Sequence, residues 1–147
     1  MIYFQMDAMR KMLKIVAKSD NEVAWFGVCE RNEQTDDIIV HDILVYPQID
    51  RATTFESDDD AYLRWHLSLD DKTVNSLRLH GHSHVYMLPH PSAPDLRNEK
   101  QKLAELQGDD EYYIFLIMNK MGEYTIRFVD RKNNIDERWE GDMLVLG

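Results

Sequence analysis

The stretch from Leu77 to Asp95 reads LRLHGHSHVYMLPHPSAPD, and its two halves differ in character. Leu77 to His84 reads as a short strand, and the proline-rich Leu88 to Pro94 as a loop. Beyond the loop, Leu96, Leu103 and Leu106 share one helical face, and Gly108 is a natural stop. In a strand, residues two apart project to the same side, so His82 and His84 face one point in space. Asp95, in the first turn of the following helix, returns a carboxylate to that point. Two neutral imidazoles and one carboxylate make a three-ligand set suited to Zn²⁺, with the fourth position left for water. A His-x-His pair alone arises by chance with a probability of roughly 0.25 at this composition, and adding Ser92 and Asp95 at their spacing lowers that to about 0.001. Ser92-Ala93-Pro94-Asp95 also has the form of a capping box, with Ser92 as N-cap, and a helix start is a good place to fix a ligand.

The elements on either side interleave. Met9, Met12, Leu13, Val16 and Ala17 recur at helical spacing, which predicts a helix over Asp7 to Lys18 that stops at Ser19-Asp20-Asn21. Val23 to Glu30 and Ile38 to Tyr46 read as buried strands, the second ended by Pro47. Gln48 to Asp60 is polar and acidic and reads as a loop or short edge element; Ala61 to Leu69 reads as a helix. Glu111 to Asn119 is a strongly apolar strand, with a turn at Gly122 and a hairpin partner in Tyr124 to Asp130. The charged tail that follows ends in a candidate strand at Met143 to Leu146. This order predicts an α/β fold, a mixed sheet flanked by helices with an antiparallel hairpin near its end, in a single domain over residues 1–147.

Composition excludes several classes. The 147 residues are too few for a barrel of eight β/α units, which needs roughly 250. Lys and Arg number 17 against 27 Asp and Glu, a net charge of −10, so no nucleic-acid partner is expected. Cys29 is the one cysteine, which excludes an internal disulfide, a zinc ribbon and the Pro-Cys-x-x-Cys of nucleoside deaminases; it reads as a small buried hydrophobe. The His-Glu-x-x-His of zincins is absent. The acidic run Glu56 to Asp60 lacks the Gly and distal Glu of a calcium loop and reads as solvated. With no secretory leader pattern and no apolar run of about 18 residues, a cytoplasmic protein without a membrane partner is expected. His80 and His90 can line the site, but three protein ligands suffice. His41 and His66 read as ordinary histidines.

The pattern H-x-H-x(7)-S-x-x-D, standing here as His82 and His84 through Ser92 and Asp95, resembles the signature of the JAMM (JAB1/MPN/Mov34) metalloprotease family. The resemblance extends to a first helix, an acidic residue leading into a strand (Glu22 before Val23) and a second strand ending at Tyr46-Pro47-Gln48. Ile117-Met118-Asn119-Lys120 and Gly122-Glu123-Tyr124 resemble the hairpin of its bacterial and phage branch. Three positions depart from the family pattern: His80 stands where an aromatic is frequent, Val85 where Pro is, and Trp25 where Gly is usual.

The resemblance implies a curved mixed sheet of the cytidine-deaminase-like architecture and zinc held by His82, His84 and Asp95. It implies Glu22 as the acid/base residue, with Glu30 and Glu33 as competitors, and Ser92 as a donor to the oxyanion. The expected activity is hydrolysis of a peptide or isopeptide bond by metal-activated water, on a protein or peptide substrate that includes ubiquitin-like proteins. The alternative is a non-catalytic scaffold or phage assembly protein with a structural zinc. The oligomeric state is open.

Overall fold

The computed structural model describes residues 1–49, 56–57, 59–108 and 111–142. The chain opens with a short strand β1 (Ile2–Phe4), helix α1 (Met6–Lys18) and strands β2 (Ala24–Arg31) and β3 (Ile38–Val45). A two-residue pair, β4 (Gln48–Ile49) and β5 (Glu56–Ser57), precedes helices α2 (Asp59–Ser68) and α3 (Asp71–Asn75). Strand β6 (Leu77–Ser83), helix α4 (Ala93–Glu105) and strands β7 (Tyr112–Met118), β8 (Glu123–Asp130) and β9 (Ile135–Asp142) follow. Seven strands form one curled sheet in the order β1-β3-β2-β6-β7-β8-β9. The β1–β3 and β6–β7 pairs are parallel and the others antiparallel, giving the mixed α/β fold expected. Register shifts at Gly27/Val28 and Val28/Cys29 bend β2, as bulges do.

Two apolar layers sandwich the sheet. Ala8, Met12 and Val16 recur every four residues along α1 and bury against Trp25, Leu79, Ile114 and Met118 on one face. The opposite face carries Phe26 and Tyr46 under the α2 side chains Tyr62 and Trp65, and Tyr113 and Phe115 under Leu103 and Leu106. Facing positions on β2 and β6 interlock by size. Trp25 lies opposite Gly81, whose Cα would have no room for a Cβ: one placed there would sit 2.3 Å from the indole nitrogen. No helix among the described residues is long and apolar enough to cross a membrane.

The structure departs from expectation in four places. The three residues of β1 are too few to show an alternation, yet they pair in parallel with Ile38 to Val40. The five residues of α3 form under an Asp70 cap, its carboxylate accepting from the Thr73 amide. In α4, Leu96 is half exposed and the buried side chain is Glu99, so the helix does not present an apolar stripe to the sheet. Residues 135–142, read as charged tail, form edge strand β9, whose exposed charges suit an edge. The candidate strand at Met143 to Leu146 lies outside the described residues. Cys29 is buried, and desolvation pushes its thiol up to about 12, so it stays protonated.

One buried ion pair links strands that are not neighbours. Arg31 at the end of β2 donates from two nitrogens to both Asp130 oxygens at the end of β8, at 3.1 and 2.8 Å, and its guanidinium lies over the Tyr112 ring. Truncating Asp130 to Ala leaves that guanidinium buried without its carboxylate and is expected to cost about 3–5 kcal/mol of unfolding free energy in a urea titration. A loss below about 1 kcal/mol would show that the pair does not hold the two strand ends together.

Candidate metal centre

The β2–β6 register sets the first part of the site. Ala24 pairs with His82, so two residues further along the same antiparallel register Glu22 falls opposite His84. The Ser83 amide donates to the Val23 carbonyl at 2.9 Å, which carries the pairing past the end of β2. Gln48 holds the same strand end from the other side. Its side-chain amide accepts from the Ala24 N–H at 2.7 Å and donates to the Ala24 carbonyl at 2.9 Å. Pro47 ends β3 because it has no N–H to give the ladder, and the next side chain supplies the missing backbone partner.

Helix α4 brings in the carboxylate. Ser92 is its N-cap, with the Oγ accepting from the Asp95 amide at 3.3 Å, while Asp95 Oδ2 accepts from the Ser92 amide at 2.9 Å. The full capping box therefore exists, and it aims Asp95 at the histidines. Asp95 Oδ1 lies 3.3 Å from His82 Nε2, and Oδ2 lies 3.1 Å from His84 Nε2. Candidate ligand atoms of the three residues all fall within 4.8 Å of one another. Zinc bonds of about 2.0–2.1 Å at tetrahedral angles put ligand atoms roughly 3.3 Å apart, so the set fits a zinc ion. His84 Nδ1 donates to the Leu88 carbonyl at 2.8 Å, which orients the ring and turns Nε2 toward the metal position.

Glu22 sits beside this set, 7% exposed, with Oε1 4.0 Å from His84 Nε2. Desolvation raises its carboxyl to about 7; His84 pulls the other way and Asp95 adds to the rise. Asp95 behaves differently. Burial favours its neutral form, but hydrogen bonds with His82, His84 and the Ser92 amide prevail and hold it far below the usual carboxylate range. His84 is raised, since its bonds to Asp95 and to the Leu88 carbonyl outweigh the desolvation that would lower it. A metal must displace that imidazole proton, so uptake weakens as pH falls.

The competitors for these roles lie elsewhere. Glu30 is six residues down β2 from Ala24, about 20 Å away at strand rise, where it pairs with His41. Glu33 is exposed in the turn after β2. His80 shares the face of His82 but bonds the Tyr46 hydroxyl through Nε2 at 2.9 Å, and burial drives its pKa down to about 3. His90 pairs with Glu140 at the surface, and the His66 ring packs beside Tyr62.

Sequence reading missed two supports besides Gln48. Buried Asn119 donates to the Met87 carbonyl and to Glu123, pinning the loop after His84 to the β7–β8 turn. Glu99, one turn after Asp95, is buried and pairs with Arg127 of β8 and Arg138 of β9, clamping α4 to the sheet. Between His84 and that loop, Val85 adopts a left-handed backbone, φ 58°, strained for a β-branched residue. Its amide donates to Ser83 Oγ at 3.0 Å. Proline, with φ near −65° and no N–H, does not fit this position.

Comparison with known proteins bears on the family and on the fold. A protein named Desampylase, from Pyrococcus furiosus, is 28% identical over 131 residues, 88% of this chain and 81% of that protein. The similarity supports the resemblance to the JAMM family. Among solved structures, that of a protein from Desulfitobacterium hafniense matches with a TM-score of 0.59 at 20% identity, covering 98% of this chain and 92% of that one, which shows the fold alone. No protein-family model matches the chain.

The raised Glu22 carboxyl carries a stability signature in metal-free protein. A carboxyl with a folded pKa of about 7 against 4.5 unfolded contributes stability at low pH that is lost as pH rises through that interval. Thermal melts of metal-free protein are expected to show Tm falling from pH 4.5 to 7.5 relative to Glu22→Gln, which lacks the ionisation. Parallel profiles for the two proteins would show that Glu22 ionises normally.

Proposed function

We propose that this chain is a zinc-dependent hydrolase of the JAMM type, of its bacterial and phage branch, that cleaves a peptide or isopeptide bond. His82, His84 and Asp95 hold the metal, Glu22 is the acid/base residue, and Ser92 donates to the oxyanion. The observation that carries the reading is the buried Glu22 carboxyl, poised near neutrality 4.0 Å from an imidazole of a three-ligand set. A general base works best when its pKa lies near the operating pH, and desolvation places Glu22 there.

When bound, zinc supplies Lewis acidity and a water acidified to a pKa of about 7. The protein's residues do the rest. Glu22 takes the proton of the attacking water on its carboxylate and passes it to the nitrogen of the leaving amine. Ser92 Oγ accepts from the Asp95 amide with its lone pair, so its own O–H donates to the oxygen that gains charge. Asp95 stays ionised throughout and His84 stays oriented by Leu88, so neither competes for the proton that Glu22 moves.

The substrate is a protein or peptide, and the similarity to a protein named Desampylase favours a bond behind a ubiquitin-like C-terminus. The net charge of −10 favours such a substrate over a nucleic acid.

Metal content by mass spectrometry after zinc is offered, read beside hydrolysis of ubiquitin-like fusions, tests this. About one zinc per chain is expected in the wild type and in Glu22→Gln, with loss in Asp95→Ala. Hydrolysis is expected to fall by about 10²–10⁴-fold in Glu22→Gln. Zinc retained by Asp95→Ala would overturn the ligand set. One zinc per chain without hydrolysis of any substrate would favour the scaffold with a structural zinc.

A further inference from the structure

The chain leaves the metal centre through a strained turn that is held from outside. His84, Val85, Tyr86 and Met87 form this turn, closed by the Met87 amide donating to the His84 carbonyl at 2.9 Å. Val85, its first central residue, has φ 58°, a conformation that glycine adopts freely and a β-branched residue does not. A strained residue persists only where its surroundings over-determine it. Here the end of β7 does so. The His84 amide donates to the Met118 carbonyl at 2.9 Å, the Lys120 amide to the Val85 carbonyl at 2.6 Å, and the Asn119 side chain to the Met87 carbonyl at 3.2 Å. The next carbonyl along the loop, that of Leu88, accepts from His84 Nδ1.

Two of these three ties join backbone groups, which any sequence supplies; the third depends on the side chain of Asn119. That side chain is fully buried and uses all four of its hydrogen-bonding positions. Its oxygen accepts from the Met121 and Glu123 amides at 3.0 and 3.1 Å, which shapes the β7–β8 turn. Its nitrogen donates to Glu123 Oε1 at 2.8 Å and to the Met87 carbonyl. The two ends of one amide thus have separate work, the oxygen in the turn and the nitrogen on the loop of the metal centre. A buried amide held by four bonds cannot rotate away without stranding a polar group, so it is a fixed post for that loop.

We propose that Asn119 is a positioning residue for the metal centre: by holding Val85 in its left-handed turn it keeps the Leu88 carbonyl on His84 Nδ1, and so keeps Nε2 aimed at the metal position. Without the Asn119 donor, Val85 relaxes to negative φ and carries Met87 and Leu88 away from the ring. Loss of the outer hydrogen bond of a metal-binding histidine weakens metal binding by about 10–100-fold, and that is the loss expected once Leu88 moves. That His84 ligates zinc rests on the proposed function; that Asn119 orients its ring does not.

The test has two arms. Asn119→Asp keeps the oxygen that shapes the turn and replaces the donor with a second oxygen, which when ionised cannot bond the Met87 carbonyl. Zinc affinity, measured by chelator competition at mildly alkaline pH, is expected to fall by about 10–100-fold in this variant. Val85→Gly, which adopts a φ of 58° without strain, is expected to leave affinity within about threefold of the wild type on its own, and to restore most of the loss when combined with Asn119→Asp. Metal-free protein gives the second readout. By NMR, the His84 Nδ1–H signal is expected in the wild type, lost in Asn119→Asp and recovered in the double variant, while the Met121 and Glu123 amide signals show the β7–β8 turn intact. A ring signal that follows this pattern in a protein that takes up no zinc would sink the ligand set and keep the positioning role. Affinity and ring signal unchanged in Asn119→Asp, or a loss that Val85→Gly does not reverse, would overturn the proposal; the second result would leave Asn119 as a support of the β7–β8 turn alone.

Discussion

The pairing of Ala24 with His82 across β2 and β6 decides where Glu22 falls relative to His82 and His84. Strand side chains alternate, so a shift of one residue in that register would turn the His80–His82 face toward α1 and carry Glu22 away from His84. Several contacts far apart in sequence defend it. Gln48 fills the backbone valence of Ala24, the Val23 carbonyl takes the Ser83 amide, and the Trp25–Gly81 fit admits no neighbour of another size. Asp95 arrives from the opposite side on a helix whose capping box and Glu99 clamp fix its position independently. The centre is thus a meeting of two separately anchored halves.

Environment sets the two carboxylates apart. Asp95 is surrounded by donors, two imidazoles and a backbone amide, and stays ionised. Glu22 is buried with fewer donors, and its proton affinity rises to about 7. Surroundings that push the pKa values of two neighbouring carboxylates apart leave one charged and the other near its titration point at neutral pH. Here both carboxylates converge on His84, Asp95 within hydrogen-bonding distance and Glu22 at 4.0 Å.

Periodicity made much of this legible. The apolar stripe of α1, the continuous apolar run of β7 and the two-residue spacing of His82 and His84 each translate directly into a face. The capping box does not turn Asp95 away from the histidines, since its Oδ2 accepts from the Ser92 amide and also lies 3.1 Å from His84 Nε2. What stayed hidden depends on partners distant in the chain. Glu99 looks like a solvated helix charge until Arg127 and Arg138 arrive from β8 and β9, and Gln48 and Asn119 act through backbone groups 24 and 32 residues away. Strand β9 was obscured by its charges. That Glu22, and neither Glu30 nor Glu33, lies beside His84 follows only from the register.

The interlock of Trp25 with Gly81 also limits which substitutions this part of the sheet can accept. Any side chain at position 81 collides with the indole, so that position, held between two histidines, cannot grow before position 25 shrinks. The indole nitrogen, in turn, is buried without a hydrogen-bond partner among the described residues, a standing cost of about 1–3 kcal/mol. Reducing position 25 first would remove that cost but open a void under the strand that carries His82 and His84. The two positions are therefore coupled: either single change, a larger residue at 81 or a smaller one at 25, gives a less stable protein than changing both together.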